Sequence, residues 1–350
     1  MSGAARRLRI SVVGNPGLDT LVLLDQDDLD LHADGYFVRN VDTVGHAPAF
    51  VARALARLGH HVRLLGAVGA DAIGRMVTDV LAEDGVRTEL VFTDPAGTPR
   101  SVNLVFPDAR RTFFYDGGSH MTLHPRPELV EAALDDCDLV VSSLPNWGRH
   151  VVAAARGRGI PVAVDLQDVR AIDDPYRADF VAAADYLFAS AAHLTDPLAA
   201  ARLWMATGSA RVVVLGQGAR GATLVARSTE QSDHGAPRLG DARGNSSDSG
   251  EVRDGAGVAR FQRQPAPPLP PGHDLPLVDT TGAGDSLAVG FLDGLLALDL
   301  APEAALLRGQ LLARIVASST GADAPFDRGR LDDLVRLAAA WQCTEPGPPA

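Results

Sequence analysis

Short runs of branched apolar residues alternate along most of the chain with longer amphipathic stretches. The runs are Leu8 to Val13, His61 to Gly66, CDLVVSS (137–143), IPVAVDL (160–166), ADYLFAS (184–190) and ARVVVLG (210–216). Each has the length of a buried strand. Between them, apolar positions at helical spacing predict helices. Pro48 to Leu58 places Phe50, Val51, Ala54, Leu55 and Leu58 on one face, and Gly59 stops it. Ile73 to Leu81 is a second helix, and others fall near 150–156, 176–183 and 197–207. Ala301 to Ser319, closed by Gly321, and Leu331 to Trp341 complete the set. The alternation predicts an α/β fold: a mostly parallel sheet, covered on both faces and joined by right-handed crossovers. Ligands are then expected beyond the C-terminal ends of the strands.

Some segments break the rhythm. Leu21 to Leu24, Tyr36 to Val38, SVNLVF (101–106) and RTFFY (111–115) read as extra strands, the last two joined by the turn PDAR. Ala222 to Ala226 reads as a hairpin strand. Residues 228–256 carry almost no large apolar side chain and are expected to be a flexible insertion. Pro265 to Pro271 is too rich in proline for a helix or an inner strand. Residues 346–350 read as a loose tail, so the expected domain is 1–345.

A net charge of −12 argues against a nucleic-acid surface, although it leaves room for a local basic pocket. Cys137 and Cys343 are far apart and lack metal-ligand spacing. No run of about 18 apolar residues occurs, and the first residues lead directly into a strand. These features lead us to expect a cytoplasmic protein with no membrane or nucleic-acid partner.

The stretch Val278 to Leu296, VDTTGAGDSLAVGFLDGLL, carries the chemistry. An extended run ends in a small-residue turn, and Asp285 then opens an apolar helical segment. Such a turn exposes backbone N–H groups beside the positive end of a helix, which makes an anion hole. A carboxylate beside an anion hole suits a group that takes the proton of an attacking hydroxyl. Asp285 is therefore the expected general base, with the N–H groups of Gly282, Ala283 and Gly284 stabilising the transferring group. The helix terminus should favour the charged form of Asp285, which makes it a weak base.

Asp279-Thr280-Thr281-Gly282-Ala283-Gly284-Asp285 resembles the Asp-Thr-x-Gly-Ala-Gly-Asp signature of the ribokinase-like (PfkB) carbohydrate and nucleoside kinases, with every fixed position present. The likeness extends over nearly the whole chain. It implies a ribokinase-like three-layer sandwich with a small β-sheet lid formed by segments near 19–42 and 100–116. It also implies transfer of the γ-phosphate of ATP to a hydroxyl, with Mg²⁺ as cofactor. Asp19 matches the early aspartate that receives substrate hydroxyls. Gly45 to Gly59 and Gly66 to Gly74 match the N-terminal motif. Gly218-Ala219-Arg220-Gly221 matches a nucleotide-side turn, so Gly218, Gly221, Thr280, Gly282 and Gly284 are expected at ATP. The region around Ala317 to Gly321 is expected to border the adenine. Asp165 is placed to act on Mg²⁺ through water, and Asp279 and Thr281 to help hold K⁺. The family also suggests a homodimer paired through the lid. No Walker A sequence occurs.

Several positions depart from the family pattern. The usual Gly-Gly pair reads Gly45-His46, and the substrate-binding asparagine reads Phe50. His46 is a candidate donor to substrate. Phe50 either stacks on a ligand ring or belongs to the core. Arg111, before Thr112, either faces an anionic substrate or is a solvated strand residue. Gln167 stands for an asparagine, with Arg170 one place late, and His193 replaces a glutamate that helps organise Mg²⁺. A sugar or sugar-like acceptor leads; a nucleoside kinase and a noncatalytic sugar or nucleotide sensor stay open as alternatives.

Overall fold

A computed structural model describes residues 5–30, 32–227, 249–254, 257–320 and 326–344. Most of the expected insertion (228–248), the tail (346–350) and Gly321 lie outside the described residues. The main sheet has ten strands in the order β13-β14-β12-β11-β10-β9-β8-β1-β4-β5. Its parallel body comprises β1 (Arg9–Val13), β4 (His61–Val68), β5 (Val91–Thr93), β8 (Leu139–Ser142), β9 (Val162–Asp168), β10 (Tyr186–Ser190) and β11 (Val212–Gly216). An antiparallel edge follows: β12 (Ala222–Arg227), β14 (Gly257–Gln264) and β13 (Ser249–Asp254). The stretch expected to be a flexible insertion thus contains a strand at 249–254. Residues 249–254 gain a ladder from β14 that no apolar pattern of their own announces.

Strand alternation sorts side chains between two cores. Ile10, Val12, Leu139 and Val214 face one side of the sheet, and Val13, Val140 and Val213 face the other. The first core is closed by α1 (His46–Arg57), α2 (Ala72–Glu83), α7 (Ala283–Leu292), α8 (Pro302–Ala317) and α9 (Arg328–Thr344). The second is closed by α3 (Pro127–Leu134), α4 (Gly148–Gly157), α5 (Ala178–Ala183) and α6 (Pro197–Thr207). The result is the expected three-layer sandwich. Side-chain caps start two of these helices, α2 and α6: Asp71 Oδ1 accepts the Gly74 N–H at 2.7 Å, and Asp196 Oδ1 accepts the Leu198 and Ala199 N–H groups at 3.0 Å. Helices α7 and α8 cross closely at glycines, since a Cβ on Gly290 would come 2.8 Å from Gly309 Cα.

The small sheet has the order β3-β2-β6-β7, built from β2 (Gly17–Leu23), β3 (Arg39–Gly45), β6 (Arg100–Val105) and β7 (Arg111–Asp116). The strand expected at Tyr36 to Val38 lies instead at Arg39–Gly45, where pairing with β2 fixes it. Neither β5 nor α3 is among the elements expected from periodicity; both are short and only partly buried.

Candidate active site

The small sheet lies against the turn that starts α7. Gly282 caps α7 in the left-handed conformation, φ +75°. A Cβ there would come 2.9 Å from Phe50 Cδ1. Glycine is thus required both by the backbone and by the Phe50 ring. Phe50 is 2% exposed and sits in the core. Of the two readings left open for it, the structure has the packed one: the ring supports the turn from beneath.

The three amides expected in the anion hole differ. The Ala283 N–H closes the turn onto the Thr280 carbonyl at 3.2 Å. Among the described residues, the Gly282 and Gly284 amides have no such acceptor. Gly284 is exposed, and a Cβ on it would meet nothing within 4 Å. The turn thus presents one buried and one open glycine amide at a helix N-terminus, a fitting cradle for a phosphate.

Asp285 stands in the first turn of α7, partly exposed but surrounded by protein on most sides. Burial raises its pKa to about 7, and the nearby charges of Asp165 and Asp19 add to the rise, against the pull of Arg111. This corrects the expectation of a weak base. The helix terminus is outweighed by lost solvation and by like charges across the site. A carboxylate of this kind is better matched to proton transfer near neutral pH.

Asp19 is 5% exposed on β2. Its Oδ2 accepts the backbone N–H of His46 at 3.0 Å. Gly45 makes this approach feasible, because a Cβ there would lie 2.0 Å from that oxygen. His46 has φ +61°, which accounts for glycine at this place in the family pattern. Its ring lies over Gly17, 3.5 Å from Asp19 Oδ1 (Nε2) and 5.2 Å from the Tyr115 ring centre. Burial pushes the imidazole pKa down, against the opposing field of Asp19. The Asn15 carbonyl is close to the ring but lacks hydrogen-bond geometry, and neither ring nitrogen has a hydrogen-bond partner. Asn15 Nδ2 is likewise buried and unpartnered, while its Oδ1 takes the Ala67 N–H. Sequence reasoning passed over Asn15 as a turn residue.

Arg111 reaches from β7 to the signature turn. Its Nη1 donates to Thr281 Oγ1 at 3.0 Å, and Thr281 in turn gives both its N–H and its O–H to Asp279 Oδ1, at 2.9 and 2.7 Å. The Thr280 hydroxyl meets the Ala109 carbonyl of the β6–β7 turn at 3.5 Å. Thr280, Thr281 and buried Asp279 thus brace the turn against the lid.

On the far side, Asp165 lies within β9 with Oδ1 accepting the Gln167 N–H at 2.7 Å, and burial raises its pKa. His193, at the place of the family's glutamate, lies 2.6 Å through Nδ1 from Asp168 Oδ1. Gly218 has φ +60° and open space at its Cβ position. Gly221 does not: a Cβ there would lie 2.1 Å from the Gln264 carbonyl oxygen, so close packing on the neighbouring strand requires glycine.

Residues 39–238 and 255–328 match the pfkB family carbohydrate kinase profile. The chain belongs to the pfkB family of carbohydrate kinases. Phosphoryl transfer to a sugar hydroxyl is accordingly its chemistry. The chain is 29% identical over 329 residues to the acarbose 7(IV)-phosphotransferase of an Actinoplanes species, covering 92% of this chain and 96% of that one. A D-β-D-heptose 7-phosphate kinase of Bordetella bronchiseptica is 33% identical over 169 residues, 45% of this chain and 54% of its own. Among solved structures, a microbiome-derived acarbose kinase superposes with a TM-score of 0.78 at 28% identity, covering 95% of this chain and all of that one. An Arabidopsis thaliana ribokinase shares the fold, with a TM-score of 0.71 at 19% identity and coverage of 95% and 99%.

Proposed function

We propose that this kinase moves the γ-phosphate of ATP onto a hydroxyl of a small sugar or sugar-like acceptor lying between Asp19 and Asp285. One observation carries the reading: Asp285, with a pKa near 7, shares a field with Asp19, Asp165 and Arg111 at a helix start whose Gly284 amide is open. Asp19 accepts acceptor hydroxyls, and His46 and Asn15 offer further buried hydrogen-bonding atoms. Asp285 orients the attacking hydroxyl and receives its proton. The Gly282 and Gly284 amides and Arg111 face the charge that develops on the transferring group. Gly218 lies on the nucleotide side.

Mg²⁺ fits this set. Among the described residues no group of three or more His, Cys, Asp or Glu is gathered to hold a metal ion; the ion would be carried largely by nucleotide phosphates and water. Asp165, half-buried and near enough to Asp285 to raise its pKa, would hold it through water, and the ion would neutralise phosphate charge. The carbohydrate-kinase profile over most of the chain supports a sugar rather than a nucleoside as acceptor, and the Phe50 ring is enclosed and offers no platform for a base. The need for ATP supports a cytoplasmic location. A homodimer through the outer lid face is supported by Phe114 and Val102, paired across β6 and β7 and 62% and 39% exposed.

ADP release with Mg²⁺ across a panel of mono- and oligosaccharides, with nucleosides as controls, tests the reading. Asp285→Asn should cut kcat by about 10²- to 10⁴-fold while ATP binding persists. Full turnover in that variant, or sugar binding with no ADP release by the wild type, overturns it.

A further inference from the structure

The inner face of the lid adds something that the catalytic groups do not explain. Strand β6 buries Ser101, Asn103 and Val105 toward the body of the protein, and each is registered opposite one residue of β7: Tyr115, Phe113 and Arg111. Directly opposed residues of an antiparallel pair share a face. Two contacts confirm the direction, since Arg111 touches Thr281 at the phosphate end and Tyr115 touches His46 at the Asp19 end. Phe113, between them, therefore points to the same side.

Phe113 is nevertheless 64% exposed. Tyr115 is held between His46 and His120, at 5.2 and 5.8 Å, whereas Phe113 has no aromatic neighbour among the described residues. Strand geometry puts Arg111 and Tyr115 about 13 Å apart along β7, with Phe113 at the midpoint. An exposed ring facing the cleft between an anion hole and a hydrogen-bonding floor is a stacking surface awaiting a ligand.

We propose that Phe113 is a specificity-determining residue of the acceptor site, and that the acceptor is a carbohydrate whose ring stacks an apolar C–H face on it. This rests on the kinase reading above and narrows its substrate class to cyclic acceptors. Asp19, His46 and Asn15 then hold the polar edge of the ring, and Tyr115 closes the end of the site.

The test compares wild type, Phe113→Ser and Phe113→Tyr with maltose, maltotriose and acarbose as ring acceptors and sorbitol as an open-chain one. Phe113→Ser should raise KM for the ring acceptors about three- to tenfold, with kcat, ATP KM, sorbitol kinetics and Tm nearly unchanged. Phe113→Tyr should restore the wild-type values. Equal ring-acceptor KM in all three proteins overturns the proposal, as does a loss in Phe113→Ser that follows ATP KM or Tm. Calorimetric titration of the same sugars without ATP reads the contact when no phosphate is transferred. Tighter ring binding by wild type than by Phe113→Ser would then uphold the stacking role while the kinase reading fails. Equal binding, or none by any ring acceptor, overturns the stacking role itself.

Discussion

Arg111 Nη1 lies 3.0 Å from Thr281 Oγ1, joining the edge strand of the lid to the turn that starts α7. The guanidinium also lowers the pKa of Asp285. One side chain thus links lid position, anion hole and base. Arg111→Met should reduce kcat/KM by about 10²- to 10³-fold, the scale of losing one donor to developing charge. Its Tm should change little, because the side chain is largely exposed. Steady-state kinetics beside a thermal melt decide this; an unchanged kcat/KM would mean that Arg111 only props the lid.

The pH dependence follows from the same field. Asp285 must be deprotonated to take a proton, and its pKa is raised to about 7. Activity should therefore fall as pH drops through about 7, not through the range of an ordinary carboxylate. Asp165 pushes that value up and Arg111 pulls it down. Asp165→Asn should shift the acid limb of kcat/KM to lower pH, and Arg111→Met should shift it higher. Profiles that move together, or in the reverse sense, would show that another group controls the limb.

The two glycines of the signature separate folding from catalysis. Gly282 is tied to its place by φ +75° and by the Phe50 ring, which would lie 2.9 Å from an added methyl, so Gly282→Ala should cost about 1–3 kcal/mol of stability. Gly284 has ordinary helical backbone and open space. Gly284→Ala should keep or raise Tm, by up to about 1 kcal/mol of helix preference, yet place a methyl where phosphate would lie. Its kcat/KM should drop at least about tenfold. Wild-type activity in Gly284→Ala would move the phosphate away from this turn.

The alternation of branched strands and amphipathic helices made the sandwich legible, and seven residues around Gly282 singled out the turn proposed to hold phosphate. What stayed hidden had physical reasons. Phe50 falls on the apolar stripe of α1, so spacing alone could not separate a core ring from a ligand platform. Its role became clear only through Gly282, more than two hundred positions away. The pKa of Asp285 depends on Asp19 and Asp165, brought near by separate strands, whereas helix-end reasoning sees only local backbone. The inner face of β7 could have been read from RTFFYD, because period-two spacing sets residues 111, 113 and 115 on one side. Which side faces the cleft required the contacts to Thr281 and His46.

Behind the signature helix, Asp293 anchors a buried charge network. It is 1% exposed and follows α7 in a short stretch of wider helical turn, Asp293–Ala297. Oδ1 takes His60 Nε2 at 3.0 Å and Arg328 Nη2 at 2.5 Å, and Oδ2 takes Arg308 Nε at 2.7 Å. The Leu8 N–H donates to His60 Nδ1 at 3.3 Å, so Nε2 carries the hydrogen given to Asp293. Burial pushes the Asp293 pKa up, but the His60 hydrogen bond and the charges of Arg308 and Arg328 outweigh it and leave it lowered. The sign follows: this stability is present above the unfolded-state value near 4 and is lost as pH falls through the lower, folded value. The network ties together the β1 entry, α8 and the start of α9, all behind the helix that carries Asp285. Asp293→Asn leaves buried Arg308 with Asp332 as its remaining carboxylate and half-buried Arg328 without this one, and should cost about 3 kcal/mol, the low end for breaking a buried pair. Chemical denaturation at pH 7 measures it, and repeating the comparison at pH 3 should show a smaller gap between variant and wild type. A loss below about 1 kcal/mol at pH 7 would mean that water or rearranged arginines replace the carboxylate.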